Sequence, residues 1–148
     1  GWVGHAYILA AVSRLSGRPQ NRGRINPPQK DESQQGPVPA AWRSTLYSIV
    51  DAFREGDFTL KRGVAGVRPI TADEAAQIAG NITGYGARLT SLSDETWQTS
   101  AYQWMAGYWD VLVDLFTVEE GASDLAMAVR VYEEGSAFSF HVQSVHVP

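Results

Sequence analysis

The apolar side chains of this chain follow a helical period in its first half and a strand period in its second half. Between residues 40 and 89 they recur every three or four positions, as on one face of a helix. After Ser93 they alternate with polar or small residues, as in strands with one buried face. The sequence therefore predicts an α+β protein in which two or three N-terminal helices pack on a C-terminal antiparallel sheet.

Two of the helices are marked by their apolar faces and by their ends. The first predicted helix is followed by Gly56, which suits a left-handed C-terminal cap. The second begins at Thr71, which has capping-box spacing to Glu74. The apolar face of the first comprises Trp42, Leu46, Ile49, Val50 and Phe53, and that of the second comprises Ala75, Ile78, Ala79 and Ile82.

The strand period predicts a meander of three or four strands. Alternation is clear over residues 109–116, 125–132 and 138–143. The connections between these segments are short and polar, which fits hairpins and excludes the long crossovers of parallel strands. A further strand within residues 95–104 would bring the number to four.

Residues 1–39 differ from the rest of the chain in composition and charge. From Ser16 to Pro39 the chain is rich in Gly, Pro, Gln, Asn and Arg, and proline disfavours a helix there. We expect a basic, extended arm, with a short helix whose apolar face comprises Ile8, Leu9, Val12 and Leu15. Because the basic residues of the arm have no aromatic residues between them, nucleic-acid binding is not expected. Residues 40–148 form the single predicted α+β domain.

The sequence excludes several classes of function. It contains no cysteine, so disulfide scaffolds, thiol nucleophiles and zinc ribbons are excluded. A Gly-x-Ser-x-Gly elbow and a phosphate-binding loop are both lacking, and we predict neither a catalytic residue nor a cofactor. No apolar run approaches the roughly 20 residues that cross a bilayer, so we expect a cytoplasmic protein without membrane contact.

Acidic residues are concentrated towards the C-terminal end. Residues 94–148 contain nine Asp or Glu residues and one basic residue, Arg130. Five of these carboxylates surround the turn between the first two predicted strands: Asp110, Asp114, Glu119, Glu120 and Asp124. Since Asp110 and Asp114 are four positions apart, we expect them on the same face of their strand.

This acidic cluster has three interpretations. It could be a solvated sheet face with a charged turn that prevents aggregation. It could instead meet a basic partner, since complementary charge raises association rates and rejects wrong partners. A calcium or magnesium site is the third interpretation, but the spacing lacks the ligand pattern of an EF-hand, and no metal site is predicted.

Aromatic and histidine residues add to these alternatives. Of the five aromatic residues between positions 97 and 109 most are expected in the core, while Trp104 and Tyr108 would make a protein-binding hot spot beside the acidic groups. The spacing of His141 and His146 predicts opposite faces of a regular strand, and only a bulge near Ser144 would reverse this. A shared metal ion is therefore not expected.

Several local motifs lie in and around the predicted strand-turn-strand segment. They are the strand beginning at Trp109, the Asp-Leu-aromatic-Thr segment at 114–117, the Glu-Glu-Gly-x-Ser-Asp-Leu motif at 119–125, the Gly-Asp turn at 56–57 and the final pair His146-Val147. In these motifs the chain resembles a bacterial domain family of unknown function. The resemblance covers residues 40–148 and implies no catalytic residues.

Small acidic α+β domains of this kind are similar to immunity proteins of bacterial toxin systems, including contact-dependent inhibition. The similarity implies a protein that binds and neutralises a cognate basic toxin, such as a nuclease, through its acidic sheet. The alternatives are an orphan enzyme or small-ligand binder, with Asp114, His141 or His146 in an apolar cavity between helices and sheet, and a structural or regulatory module.

Overall fold

The structure is a computed structural model that describes residues 27–148. Residues 1–26, and with them the predicted N-terminal helix, lie outside the described residues. A short 3-10 helix covers Asp94–Gln98. The longer elements are β1 Gln35–Pro37, α1 Ala40–Arg54, α2 Ala72–Tyr85, β2 Ala101–Trp104, β3 Trp109–Thr117, β4 Gly121–Glu134 and β5 Ala137–His146.

The predicted α+β class is confirmed, but the predicted number of strands is wrong. Five antiparallel strands form one sheet in the order β1-β2-β3-β4-β5. The fourth strand, β2, lies in the ambiguous 95–104 segment, and the fifth, β1, comes from the Gly- and Pro-rich segment before residue 40. A side chain at Gly36 would place its Cβ 2.6 Å from the buried Tyr102 ring, so close approach requires glycine at this position.

Both predicted helices form, and their apolar faces enter one core. The Trp42 ring on α1 packs edge-on against Trp109 and Phe138, with centroids 5.6 and 5.4 Å apart. Helix α2 has the predicted capping box, in which the Thr71 hydroxyl accepts from the Glu74 N–H and the Glu74 carboxylate accepts from the Thr71 N–H. The helices therefore cover one face of the sheet, built around the inward-facing residues of β3, β4 and β5.

A bulge in β5 sets which residues of that strand face the core. The pairing of β4 with β5 shifts between Ala128 and Val129, and Val142 and Val145 are both buried. The extra residue places His141 and His146 on the same face of the sheet. The prediction of opposite faces, which assumed a regular strand, is therefore wrong.

A second irregularity lies in β4, beside the turn from β3. The register shifts between Asp114 and Phe116, and the Ser123 hydroxyl fills the interrupted ladder by donating to the Leu115 carbonyl at 2.7 Å. The same hydroxyl accepts from the Leu125 N–H at 3.1 Å. The serine of the motif thus satisfies backbone groups that the bulge would leave unpaired.

The edge of β5 that does not pair with β4 is contacted by other parts of the chain. The Phe140 N–H donates to the Gly66 carbonyl at 2.8 Å, and the Phe140 carbonyl accepts from the Arg68 N–H at 2.9 Å. Further along the strand, the Asn81 amide on α2 donates to the Val145 carbonyl at 2.9 Å. These contacts block strand-to-strand association at this edge.

Candidate functional site

The sheet has a second face, turned away from the helices, on which polar side chains of the strands are partly exposed. Among residues 27–148, both helices pack on the opposite face, and neither a helix nor a strand covers this one. We call it the outer face. Its transverse row consists of Gln103, Asp110, Arg130 and His141 in register on β2 to β5, and its buried floor consists of Ala101, Leu112, Ala126 and Ala128.

An aromatic and charged cluster occupies one end of the outer face. The Arg130 guanidinium carbon lies 4.6 Å from the centroid of the Tyr108 ring, a cation–π distance. The Tyr132 ring lies 5.4 Å from Tyr108 and 4.6 Å from His141, measured between centroids. Arg130 Nε lies 3.6 Å from Asp110 Oδ1, and this buried N–H has no hydrogen-bond acceptor among the described residues.

Burial shifts both titratable neighbours of Arg130 towards their neutral forms. It raises the pKa of Asp110, and the nearby Arg130 charge offsets only part of this effect. Burial also lowers the pKa of His141, and the positive charge of Arg68 acts in the same direction. Both effects favour the neutral form of His141, whose Nε2 is hydrogen-bonded to the Ser139 hydroxyl at 3.0 Å.

An acidic pocket lies at the other end of the outer face. Asp114, Phe116 and Asp124 line it together with Thr99, and its volume is about 420 Å³. The Asp114 carboxylate accepts a hydrogen bond from the Thr99 hydroxyl at 2.6 Å. The backbone N–H of Asp114 donates to the Ser100 hydroxyl at 3.0 Å. The carboxylate of Asp114 is thus held in place at the pocket wall.

The two glutamates of the turn between β3 and β4 contact the helix side of the molecule. Glu119 accepts from the backbone N–H and Nε of Arg88 at 2.8 and 2.9 Å. Glu120 accepts from the Tyr85 hydroxyl at 2.7 Å, and that hydroxyl accepts from the Asp124 N–H at 3.1 Å. These contacts attach the turn to the end of α2, so the Glu-Glu-Gly-x-Ser-Asp-Leu motif has a structural role.

The seven residues predicted to bind a partner are therefore divided between two sides. Four of them, Tyr108, Asp110, Asp114 and Asp124, belong to the outer face. Glu119 and Glu120 point to the helix side, as described above. Trp104 packs against the core beside Trp109, with ring centroids 4.7 Å apart, and Lys30 lies over its ring at 5.5 Å.

Sequence reasoning missed the cluster around Arg130. Arg130 and Tyr132 alternate with the core residues Val129 and Val131, and this alternation was the available signal. The inclusion of His141 depends on the strand register, which no local pattern reveals. The alternation along β4 is therefore sufficient to predict that Arg130 and Tyr132 lie on the face away from the core.

The alternative site for Asp114, His141 and His146 is not where it was predicted. All three lie on the outer face rather than in a cavity between helices and sheet. Within residues 27–148, no group of three or more His, Asp or Glu side chains is arranged to hold a metal ion. Neither described helix is long and apolar enough to cross a membrane.

Comparison with known proteins assigns residues 50–148 to one family. Comparisons with curated proteins and with solved structures found no match. The model of a domain of unknown function, DUF7668, matches residues 50–148, which span the end of α1, helix α2 and strands β2 to β5. This match covers more than half of the chain, and the protein belongs to the DUF7668 family.

Proposed function

We propose that this protein is a non-catalytic binding protein that captures a basic protein partner through its outer face. The observation that supports this proposal is that the outer face, which no helix or strand of residues 27–148 covers, combines the carboxylates Asp110, Asp114 and Asp124 with the aromatic rings of Tyr108 and Tyr132. Aromatic residues and arginine are typical of binding hot spots. Complementary charge steers the encounter with a basic surface.

The charge distribution supports a basic rather than an acidic partner. Residues 94–148, which form most of the sheet, carry nine acidic residues and one basic residue. That basic residue, Arg130, is already close to Asp110. Asp110, Asp114 and Asp124 therefore outnumber Arg130 among the charged residues that form the outer face.

The hydrogen bond between Ser139 and His141 does not favour an enzyme. The two residues are next-but-one neighbours on β5, a spacing that brings any such side chains together. The Phe140 N–H between them already donates to the Gly66 carbonyl, so it is not available to stabilise an oxyanion. We therefore favour binding over nucleophilic catalysis.

An immunity-type role is the specific form of this proposal. In that role the partner is a cognate bacterial toxin with a basic active-site cleft, and the outer face occupies the cleft. The support is an analogy of size, acidity and α+β organisation. Glu119 and Glu120 no longer belong to the binding surface in this version, because they hold the turn to α2.

The test measures binding to the protein encoded next to this one in its genome, by isothermal titration calorimetry at 0.15 M salt. Asp124→Lys reverses an exposed charge on the outer face, where only the backbone N–H of Asp124 is hydrogen-bonded to Tyr85. Asp73→Lys makes the same charge change at an exposed position on α2 and serves as the matched control.

We expect Asp124→Lys to weaken binding at least tenfold, about 1.4 kcal/mol, and Asp73→Lys to change it less than twofold. Equal effects of the two variants would contradict the assignment of the outer face. The absence of any complex with the neighbouring gene product would contradict the immunity-type role.

A further inference from the structure

We propose that the open cleft at the C-terminal ends of α1 and α2 binds an amphiphilic carboxylate, a molecule with an apolar chain and one carboxylate group. The cleft has a volume of about 1000 Å³ and lies on the helix side of the molecule, away from the outer face. This volume is at the upper end of the range for small-ligand sites. The proposal is independent of the proposed partner-binding function.

The cleft has apolar surfaces that suit the chain of such a ligand. Phe53 and Phe58 stack with their centroids 5.5 Å apart and an interplanar angle of 26°. Ile82 and Leu89 contribute nearly buried side chains, while Val118 is 55% exposed and belongs to the same lining. Covering Val118 and the partly exposed ring of Phe58 would remove apolar area from water.

Two arginine side chains in the lining suit the carboxylate. Arg54 and Arg88 both line the cleft, and no Asp or Glu is among its lining residues. The side chain of Arg88 is 77% exposed, and that of Arg54 is 43% exposed. On a folded body with fourteen acidic and seven basic residues between positions 41 and 148, this pair of guanidinium groups beside an apolar surface is favourable for an anion.

A neighbouring carboxylate contacts each of the two guanidinium groups through its Nε and leaves the terminal nitrogens available. Glu119 binds Arg88 through Nε and the backbone N–H, and Asp51 Oδ1 lies 3.5 Å from Nε of Arg54. The terminal nitrogens of both arginines make no hydrogen bond with any residue of the described chain. A guanidinium group whose terminal nitrogens are free can bind a carboxylate in bidentate geometry.

The wall of the cleft is preformed. The Thr90 N–H donates to the Phe116 carbonyl at 3.0 Å, and the Val118 N–H donates to the Arg88 carbonyl at 2.8 Å. These bonds fix the segment that carries Arg88 and Leu89 to the end of β3. A ligand therefore pays little ordering entropy on the protein side.

The experiment titrates the full-length protein with n-decanoate and, separately, with n-decyltrimethylammonium, which carries a ten-carbon chain with the opposite charge. Affinity is measured by calorimetry, and the site is located by backbone amide chemical shifts. The test variants are Arg54→Gln and the double variant Arg54→Gln with Arg88→Gln. Arg62→Gln is the matched control, because Arg62 also pairs with carboxylates but does not line the cleft.

We expect saturable decanoate binding, shifts confined to residues of the cleft, and at least tenfold weaker binding of the cationic amphiphile. The double variant should weaken decanoate binding at least tenfold, and Arg62→Gln should change it less than twofold. If loss of the Glu119 contact unfolds the double variant, Arg54→Gln alone should still weaken binding at least threefold. Absence of saturable binding, equal affinity for both amphiphiles, or an unchanged affinity of Arg54→Gln would overturn the proposal.

Discussion

Removal of the Tyr85 hydroxyl tests whether the acidic turn is a structural lock. In the structure this hydroxyl donates to the Glu120 carboxylate at 2.7 Å and accepts from the Asp124 N–H at 3.1 Å. Tyr85→Phe deletes both bonds and keeps the ring. A buried bond to a charged group contributes about 1.5–3 kcal/mol, and a neutral one about 1 kcal/mol. Because both bonds of the Tyr85 hydroxyl lie at the surface, hydrogen bonds to water replace much of the lost stabilisation.

We expect Tyr85→Phe to lower the melting temperature by about 3 °C. Thermal unfolding measures this change, and amide hydrogen exchange measures the local effect at Asp124, which should exchange about fivefold faster. Tyr108→Phe is the matched control, because its hydroxyl makes no hydrogen bond within residues 27–148. Equal stability of the two variants, together with unchanged exchange at Asp124, would show that the Tyr85 hydroxyl does not lock the turn.

Three further predictions concern the fold and its pH dependence. Thr71→Ala removes the capping box with Glu74 and should cost about 1 kcal/mol in urea unfolding; an unchanged midpoint would contradict this. Gly36→Ala forces a methyl group into the Tyr102 ring and should cost about 1–3 kcal/mol, with faster exchange of the β1 amides; wild-type stability would show that the ring moves freely. Burial lowers the pKa of His141, so its contribution to stability is present above pH 6.5 and is lost as the pH falls through the lowered value. Between pH 7.5 and 5 the wild type should lose more stability than His141→Gln, and parallel pH profiles would contradict this.

The parts of the fold that were predictable depend on local patterns. The apolar period of α1 and the Thr71–Glu74 spacing of α2 each suffice to predict their helix, and both are confirmed. The short polar turns likewise predicted the antiparallel pairing of β3, β4 and β5, which the register confirms. In these helices and strands, the conformational propensity of the residues and their apolar pattern agree with the tertiary structure.

The parts that were not predictable depend on contacts distant in sequence. Strand β1 contains Gly36 and Pro37, residues that rarely form strands. It pairs with β2, where the Tyr102 ring leaves no room for a side chain at position 36. The bulge in β5 places His146 on the outer face, and no local signal predicts it. The orientation of Glu119 is set by Arg88, thirty-one positions earlier in the chain.

The candidate site could be predicted only in part, because local alternation places some of its residues while the strand register places the others. Alternation alone places Asp110 and Asp114 together, and the structure has both on the outer face. The cluster of Arg130, Tyr132 and His141 requires the register of β4 with β5, which is set by core packing across the whole sheet. Composition indicated the acidity of the surface, while the register decides which acidic groups share it.

We propose that the outer face, and not the acidic turn or the helix side, contacts the partner. Methyl NMR of the complex with the neighbouring gene product tests this proposal, with Ala101, Ala126 and Ala128 as reporters in the floor of the outer face. We expect these methyl signals to shift on complex formation, and those of Ile49 and Ile78 in the opposite core to stay within error. Shifts at the helix-side methyl groups, with the three alanine signals unchanged, would contradict it.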